Sequence, residues 1–414
     1  MKKLFIVILL VCAIVAGAVT ILDIQNRKDE PAVPVASAQP AVSAESDDTE
    51  SATGAEEESI QDFPEQRAAA EKLAAELQAI ENKDDMMKRF FELREEYCAD
   101  PGKETYPDGY YFLEGQMVPV FENTVKALGD YEVSDPVQSD YGYHVIVKLP
   151  FDPDQTVTYS EDGTALSARA LFANDAYGML LDEYVNKSEL VIEDCVKDLS
   201  ILDYVVTTEN ADSASETGSG EEKARSSEEL DYDALYASHS PEEHVMTVNG
   251  REVTWEEYYF WLKNMADTAN YYIMMYSYYG MDVKWADYAE TVTTSAQEQI
   301  RSLAAVEKMA EENGVALSEE DRQQNQEELE AAVEAEYGEA NEENINAFLK
   351  EQGLTKELYD RITANNMLYS KGMTEIYGEA GAKIPDEDAL GYLKENGYMH
   401  AAHILISTTD LLGN

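Results

Sequence analysis

Few side chains in this sequence are arranged for covalent or metal chemistry. Cys98 is a possible thiol nucleophile, but no cysteine-protease signature surrounds it, and a buried thiol is the better interpretation. His400 and His403 lie three residues apart, so on a strand they point to opposite faces and do not chelate a metal together. The sequence shows no glycine-rich phosphate loop and no cluster of metal ligands. It therefore predicts no metal and no cofactor.

Other residues are suited to non-covalent chemistry, and each has a simpler structural interpretation. Met117 and Phe121 lie at helical spacing, which by itself favours core packing, although a flexible Met and a flat Phe also suit an apolar binding pocket. Asp100 precedes Pro101-Gly102 and is typical of a turn that ends a helix. His144 lies in a strand pattern, where a single histidine is usually a satisfied core residue.

Residues 61–150 carry the elements that must position these side chains. Two helical stripes precede the turn at Asp100, the first of them formed by Ala70, Leu73, Leu77 and Ile80. A short strand at 110–113 and a third helical stripe through Phe121 follow. Residues 143–148 then alternate as a strand. Residues 151–206 are predicted to be a mixed extension with a helix around 169–186.

A second folded region, residues 231–398, is predicted to be mostly helical. It opens with a hairpin whose turn is Asn249-Gly250, and Thr254 with Glu257 forms a capping-box pattern at the start of a long helix. Further helical patterns cover 291–313, 318–337, 342–351, 355–377 and 386–395. Residues 399–414 contain a short β-like run that includes His403.

Charge and composition define the rest of the chain. Among 414 residues, 84 are acidic and 30 are Lys or Arg, a formal charge of -54 that repels nucleic acid. Residues 23–60 read as a disordered acidic tether, and 207–230 as a linker. Residues 1–22 contain two lysines and then an uncharged run that would span about 28 Å as a helix. This segment is either a cleaved signal peptide or an uncleaved anchor; its length favours the anchor, and either one exports the chain.

Two cysteines outside this segment, Cys98 and Cys195, allow at most one disulfide, and two free, partly buried thiols are the favoured interpretation. The stretch 271–279 is unusually rich in Tyr and Met. It is suited to holding unfolded polypeptides, but core packing between helices is favoured.

Residues 115–149, GQMVPVFENTVKALGDYEVSDPVQSDYGYHVIVKL, resemble the C-terminal half of a parvulin-type prolyl isomerase. AAHILIST at 401–408 resembles the first strand of that module, and 65–100 the two helices that normally follow it. Residues 245–395 are similar to the helical chaperone part of PrsA- and SurA-like secretion foldases. The resemblance implies an α+β fold: a small antiparallel sheet with helices, plus a mostly helical chaperone domain.

The order of these segments departs from the family, because the first isomerase strand comes last. Reading 231–414 before 61–206 restores the usual order, so the chain resembles a circular permutation. A fragment or a misjoined gene is the alternative, in which case His403 would belong to a second isomerase unit.

The resemblance implies catalytic roles for Asp100, His144 and His403, and a proline pocket formed by Met117 and Phe121 with Tyr141 beside it. The implied function is prolyl cis/trans isomerisation and chaperoning of unfolded exported polypeptides, with membrane contact through the N-terminal segment alone. Two alternatives are a non-catalytic holdase and a surface adhesion or scaffold protein.

Overall fold

The computed structural model describes residues 63–160, 162–209 and 226–408. The predicted N-terminal segment 1–22, the tether 23–60 and the central part of the linker lie outside these residues. The helices are α1 (Pro64–Gln78), α2 (Lys83–Tyr97), α3 (Pro119–Ala127), α4 (Ala168–Lys187), α5 (Tyr232–Tyr236), α6 (Trp255–Tyr278), α7 (Ala289–Glu312), α8 (Glu319–Tyr337), α9 (Glu342–Glu351), α10 (Lys356–Tyr377) and α11 (Asp386–Glu395). The strands are β1 (Tyr110–Phe112), β2 (Val137–Ser139), β3 (Gly142–Lys148), β4 (Thr156–Tyr159), β5 (Ala165–Ser167), β6 (Leu190–Ile192), β7 (Val205–Glu209), β8 (Ser226–Leu230), β9 (His244–Val248), β10 (Arg251–Thr254) and β11 (Met399–Ser407).

The described chain divides into two units, and the division differs from the predicted domain boundaries. The helical unit is Asp175–Ile376, and the sheet unit consists of described residues 63–174 and 377–408. The predicted extension 151–206 is therefore shared between the units, and 377–398 belongs with the sheet. The ends of the predicted linker also differ, because β7 and β8 pair as an antiparallel ribbon from Val205↔Leu230 to Glu209↔Ser226. Backbone pairing needs no apolar side chains, so polar composition did not reveal this ribbon.

In the sheet unit, β11 is an inner strand of a four-stranded antiparallel sheet with the order β1-β11-β3-β2. It pairs with β1 through Tyr110↔Ala401, and with β3 from Ala401↔Lys148 to Ser407↔Gly142. Gly142 has φ +138, and a Cβ there would lie 2.2 Å from the Ile406 carbonyl oxygen, so this close approach requires glycine. The C-terminal segment thus completes the sheet built from the early residues, as the permuted order predicts.

The two faces of this sheet are covered by different helices. Leu77 of α1 and Phe90 of α2 pack with Val145, Val147 and Ile404 on one face. The opposite face carries a smaller cluster, in which α3 packs on the sheet through Phe112, Phe121, Val125, Ile146 and Ala401. Because strand residues alternate between faces, Ile146 points away from its neighbours Val145 and Val147. Each fully buried Val, Leu, Ile or Phe side chain in these two clusters stabilises the folded state by about 1.5–3 kcal/mol.

The helical unit contains the predicted hairpin and the capped helix that follows it. Asn249 (φ 48) and Gly250 (φ 81) form the turn between β9 and β10, and the Thr254 side chain accepts the Glu257 N–H at the start of α6. The Glu257 carboxylate, however, does not complete a capping box: it is buried and accepts hydrogen bonds from Arg251 (2.8 and 2.9 Å) and Arg361 (2.7 Å). Among the described residues no helix is long and apolar enough to cross a membrane.

Candidate active site

Two histidines far apart in sequence meet on the face of the sheet that α3 covers. His403 lies opposite Ile146 and His144 opposite Leu405, so the two histidines are diagonal neighbours on adjacent strands. Their Nδ1 atoms are 2.9 Å apart, and the rings are nearly parallel at 12°. The pairing of β11 with β3 therefore brings together residues separated by 259 positions.

Asp100 and Ser139 extend this pair at its two ends. His403 Nε2 lies 2.8 Å from Asp100 Oδ2, and His144 Nε2 lies 2.7 Å from Ser139 Oγ. A carboxylate only accepts hydrogen bonds, so His403 Nε2 carries a proton. With both imidazoles neutral, donation runs in one direction: Ser139 hydroxyl to His144, His144 Nδ1–H to His403 Nδ1, and His403 Nε2–H to Asp100.

Burial and neighbouring groups set the protonation states of His144, Asp100 and Tyr110. Burial, followed by the neighbouring His403, lowers the pKa of His144 to about 3, so His144 is neutral at pH 7. Burial works to raise the pKa of Asp100, but hydrogen bonds from His403 and Tyr110 outweigh it and hold that pKa well below its ordinary value. Burial and the Asp100 carboxylate raise the pKa of Tyr110. The site therefore presents an ionised Asp100 carboxylate and a neutral His144 imidazole at the two ends of the His403 ring.

Asp100 occupies the turn that its sequence context predicts. Its Oδ1 accepts the Gly102 N–H (3.0 Å) as the N-cap of a single 3-10 turn, Pro101–Lys103. Its Oδ2 accepts the Tyr110 hydroxyl and faces His403. The two interpretations of Asp100, a turn residue and a site residue, are thus compatible.

Phe121 forms an apolar wall against both imidazoles. Its ring meets His403 edge-on at 5.3 Å and His144 at 6.0 Å between centroids, and its side chain is buried. Met117 is partly buried and packs against the same cluster. Tyr141 lies in the turn between β2 and β3, and its side chain is 57% exposed. The structure therefore joins five predicted site residues into one constellation and places Tyr141 at its edge.

Part of this sequence is similar to known proteins. Residues 56–149 match the model of the PPIC-type PPIase domain. These residues of the chain are therefore similar to parvulin-type prolyl isomerase domains. Foldase protein PrsA 1 of Bacillus cereus is 34% identical over 122 residues, 28% of this chain and 41% of that protein.

Two other relatives share shorter parts of their length with this chain. Foldase protein PrsA of Oceanobacillus iheyensis is 35% identical over 119 residues, 28% of this chain and 38% of that protein. Chaperone SurA of Chromohalobacter salexigens is 48% identical over 60 residues, 14% of this chain and 13% of that protein. The chain thus spans about two fifths of the length of the PrsA relatives it matches. No solved structure gives a significant match.

Sequence reasoning missed two residues of the parvulin-type site, Tyr110 and Ser139, and the contact that Cys98 makes with the last strand. Tyr110 was predicted only as the start of a strand, and Ser139 carries no motif of its own. Cys98, confirmed as a buried free thiol, holds the last strand: its Sγ accepts the Leu405 N–H at 3.3 Å and lies 3.6 Å from the His403 carbonyl oxygen. A small polar residue at a strand end gives little sequence signal, because its role depends on a partner on another strand.

Glu122 positions the loop that carries Met117, and it provides a separate prediction. Its buried carboxylate accepts the N–H groups of Gly115 (2.8 Å) and Met117 (2.9 Å). Glu122→Ala removes both acceptors and leaves the loop that carries Met117 less ordered. We expect KM for a proline peptide to rise about threefold to tenfold, equivalent to about 0.7–1.4 kcal/mol of binding free energy, with a smaller change in kcat. Steady-state kinetics measure this. The matched variant Glu114→Ala, at an exposed position, should leave KM unchanged, and equal effects of the two variants would contradict the assignment.

Proposed function

We propose that this protein is a prolyl cis/trans isomerase and folding chaperone that acts on exported polypeptides outside the cytoplasm. The observation that supports it best is the completed constellation: β11 places His403 2.9 Å from His144, against Phe121 and beside Asp100. The PrsA and SurA relatives are named foldases and a chaperone, and unfolded polypeptides are accordingly the proposed partners. The proposed location depends on residues 1–22 acting as an anchor or a signal peptide.

The proposed reaction is a rotation and needs no covalent step. Turning an X-Pro bond breaks amide resonance, which creates a barrier of about 18–20 kcal/mol. In the proposed mechanism, Phe121 and Met117 hold the proline ring in an apolar pocket, and Tyr141 borders it. The ionised Asp100 then disfavours the charge-separated, conjugated form of the amide and so favours the twisted one. His144 and His403 hold the carboxylate in place through His403 Nε2.

A proline-peptide assay on the purified chain tests this function. We expect the parent to accelerate isomerisation, and Asp100→Ala and His144→Ala to lower kcat/KM by about tenfold or more, equivalent to about 1.4 kcal/mol in the barrier. Asp130→Ala is the matched control, since Asp130 is exposed and has no role in the proposed mechanism. Circular dichroism checks that each variant is folded. A parent that shows no acceleration would refute the isomerase proposal.

A second candidate, a holdase that works without catalysis, is favoured by an exposed surface on α6. Core packing was the favoured interpretation of the Tyr/Met stretch, but Tyr271, Met274, Tyr278 and Tyr279 are 64%, 65%, 87% and 72% exposed. That interpretation is wrong for these four side chains. Adaptable Met and amphipathic Tyr side chains suit contact with many unfolded sequences.

An aggregation assay distinguishes holdase activity from prolyl isomerase activity. In the holdase proposal, replacing Tyr271, Met274 and Tyr278 together by Ser weakens suppression of aggregation of a denatured client but leaves the proline-peptide rate intact. Replacing the exposed Tyr97, Tyr159 and Met179 by Ser is the matched control. Equal suppression by both triple variants would exclude this surface.

A further inference from the structure

Three side chains with metal-binding chemistry converge in the helical unit, which does not contain the residues proposed for catalysis. Cys195, His239 and Glu243 each offer one ligand atom, and these atoms all lie within 4.8 Å of one another. Cys195 is exposed, and the other two are half-buried. The sequence predicts no metal site here, since Cys195 and His239 are 44 residues apart and match no ligand motif. The prediction of a partly buried thiol is also wrong for Cys195.

The sheet of the helical unit explains why these residues meet. Strand β6 pairs antiparallel with β9, from Leu190↔Val248 to Ile192↔Met246. The Glu193 N–H then donates to the Val245 carbonyl at 3.0 Å. The segment that leaves β6 therefore runs beside the segment that enters β9, and Cys195 faces the loop containing His239 and Glu243.

Contacts within these loops hold the three donors in place. His239 Nε2 lies 3.0 Å from the Cys195 carbonyl oxygen and donates to it. The His239 ring packs 4.6 Å from the ring of the fully buried Trp255. The Trp255 backbone N–H donates to the Glu243 carbonyl at 2.8 Å. The backbone of both loops is thus fixed. The His239 nitrogen left for a metal is Nδ1, which lies 2.8 Å from the Ser238 hydroxyl oxygen and would exchange that contact for the metal.

We propose that Cys195, His239 and Glu243 bind a divalent transition-metal ion of the zinc type, with water as a fourth ligand. A thiolate and an imidazole select such an ion over Ca²⁺ or Mg²⁺, which prefer oxygen ligands. Ligand atoms around tetrahedral zinc lie about 3.3–3.8 Å apart, so a contraction of about 1 Å is enough. Binding forms a metal–sulfur bond and releases the thiol proton to solvent. The exposed acid Asp194 adds to the local attraction for a cation.

Bound metal would change the behaviour of this surface in two ways. It would cross-link the loops after β6 and before β9, which stabilises the folded state by mass action. It would also occupy the Cys195 sulfur and protect it from alkylation and oxidation, because a free thiolate is the reactive form.

Cobalt titration of the purified full-length chain, stripped with chelator, tests the site. We expect one equivalent of Co²⁺ to give a thiolate-to-cobalt charge-transfer band, and one equivalent of Zn²⁺ to remove it by displacement. Cys195→Ser should abolish the band, and Glu243→Gln should weaken Co²⁺ binding by about tenfold or more, since even indirect ligand support is worth that much. The neighbouring variant Glu242→Gln is the control and should bind as the parent does.

A second measurement keeps the proposal testable without spectroscopy. Alkylation of the peptide that contains Cys195, followed by mass spectrometry, should slow about tenfold or more when Zn²⁺ is added, while Ca²⁺ has no effect. The absence of a charge-transfer band in the parent, a full band in Cys195→Ser, or an alkylation rate indifferent to Zn²⁺ would each overturn the site.

Discussion

Deletion of residues 398–414 is expected to unfold the sheet unit, abolish prolyl isomerase activity and leave the helical unit folded. The deletion removes the inner strand β11, and with it the buried Ala401, Ala402, Ile404 and Leu405. Truncating a buried Leu or Ile costs about 2–5 kcal/mol. Loss of all these side chains and of the hydrogen bonds to β1 and β3 exceeds the 5–15 kcal/mol that typically stabilises a domain.

Two signals distinguish the units in this experiment. Trp255, Trp261 and Trp285 are the three tryptophans of the chain, and all lie buried in the helical unit, so their fluorescence should stay native. Hydrogen exchange of the peptide covering β3 should become fast in the deletion variant. A variant that lacks only 409–414 is the matched control, because it retains β11. Isomerase activity without β11 would show that residues 63–150 form the site alone, and the permuted arrangement would be wrong.

The helices were predictable because local rules and packing agree. The patterns at 342–351 and 386–395 coincide with α9 and α11, since the spacing of their apolar residues also sets the buried face. Ser318 marks the start of α8 by accepting the Asp321 N–H, as a capping residue should. The strands β6 and β7 were not predicted as separate elements. Both are short. The partner of β6 is the distant strand β9, and β7 pairs with β8 inside a polar stretch, so local periodicity carries little information about either strand.

The site was predictable only where the family resemblance supplied the topology. Spacing alone favoured core packing for Phe121 and a satisfied core role for His144, and burial of both side chains is compatible with that. Neither residue indicates by itself that β11 will bring His403 into contact. The metal-ligand cluster at Cys195 has the same origin, because pairing of β6 with β9 creates it. Contacts across a sheet depend on register, and one residue of slip would turn each of these side chains to the other face.

Acidification from about pH 6.5 to about pH 3 is expected to destabilise the sheet unit by about 1.4 kcal/mol per pH unit through His144. Burial lowers the pKa of this imidazole from 6.5 to about 3 in the folded protein. Between these values the unfolded chain binds a proton that the folded one does not, so the free energy of unfolding falls as pH falls. His400 is also buried with a lowered pKa and adds to the slope in the same direction.

Asp100 acts in the same direction, but only at the acid end. The pKa of its carboxyl is lowered below the ordinary 3.8, so its contribution is complete above that value and is lost as pH falls further. The groups that face His144 are Ser139, His403 and the Phe121 ring, and a proton on His144 would place a charge among them without a carboxylate in direct contact.

Urea unfolding at a series of pH values, followed by hydrogen exchange of the β3 and β11 peptides, measures this dependence. The variant His144→Gln has no imidazole at this position, so its free energy of unfolding should change less steeply between pH 6.5 and pH 3, by about 1.4 kcal/mol per pH unit. The difference between parent and variant isolates His144 from His400, which both proteins retain. Parallel pH profiles would mean that His144 binds its proton in the folded state as readily as in the unfolded chain. Its Nε2–H would then donate to the Ser139 hydroxyl oxygen, and the assignment of a neutral His144 would be wrong.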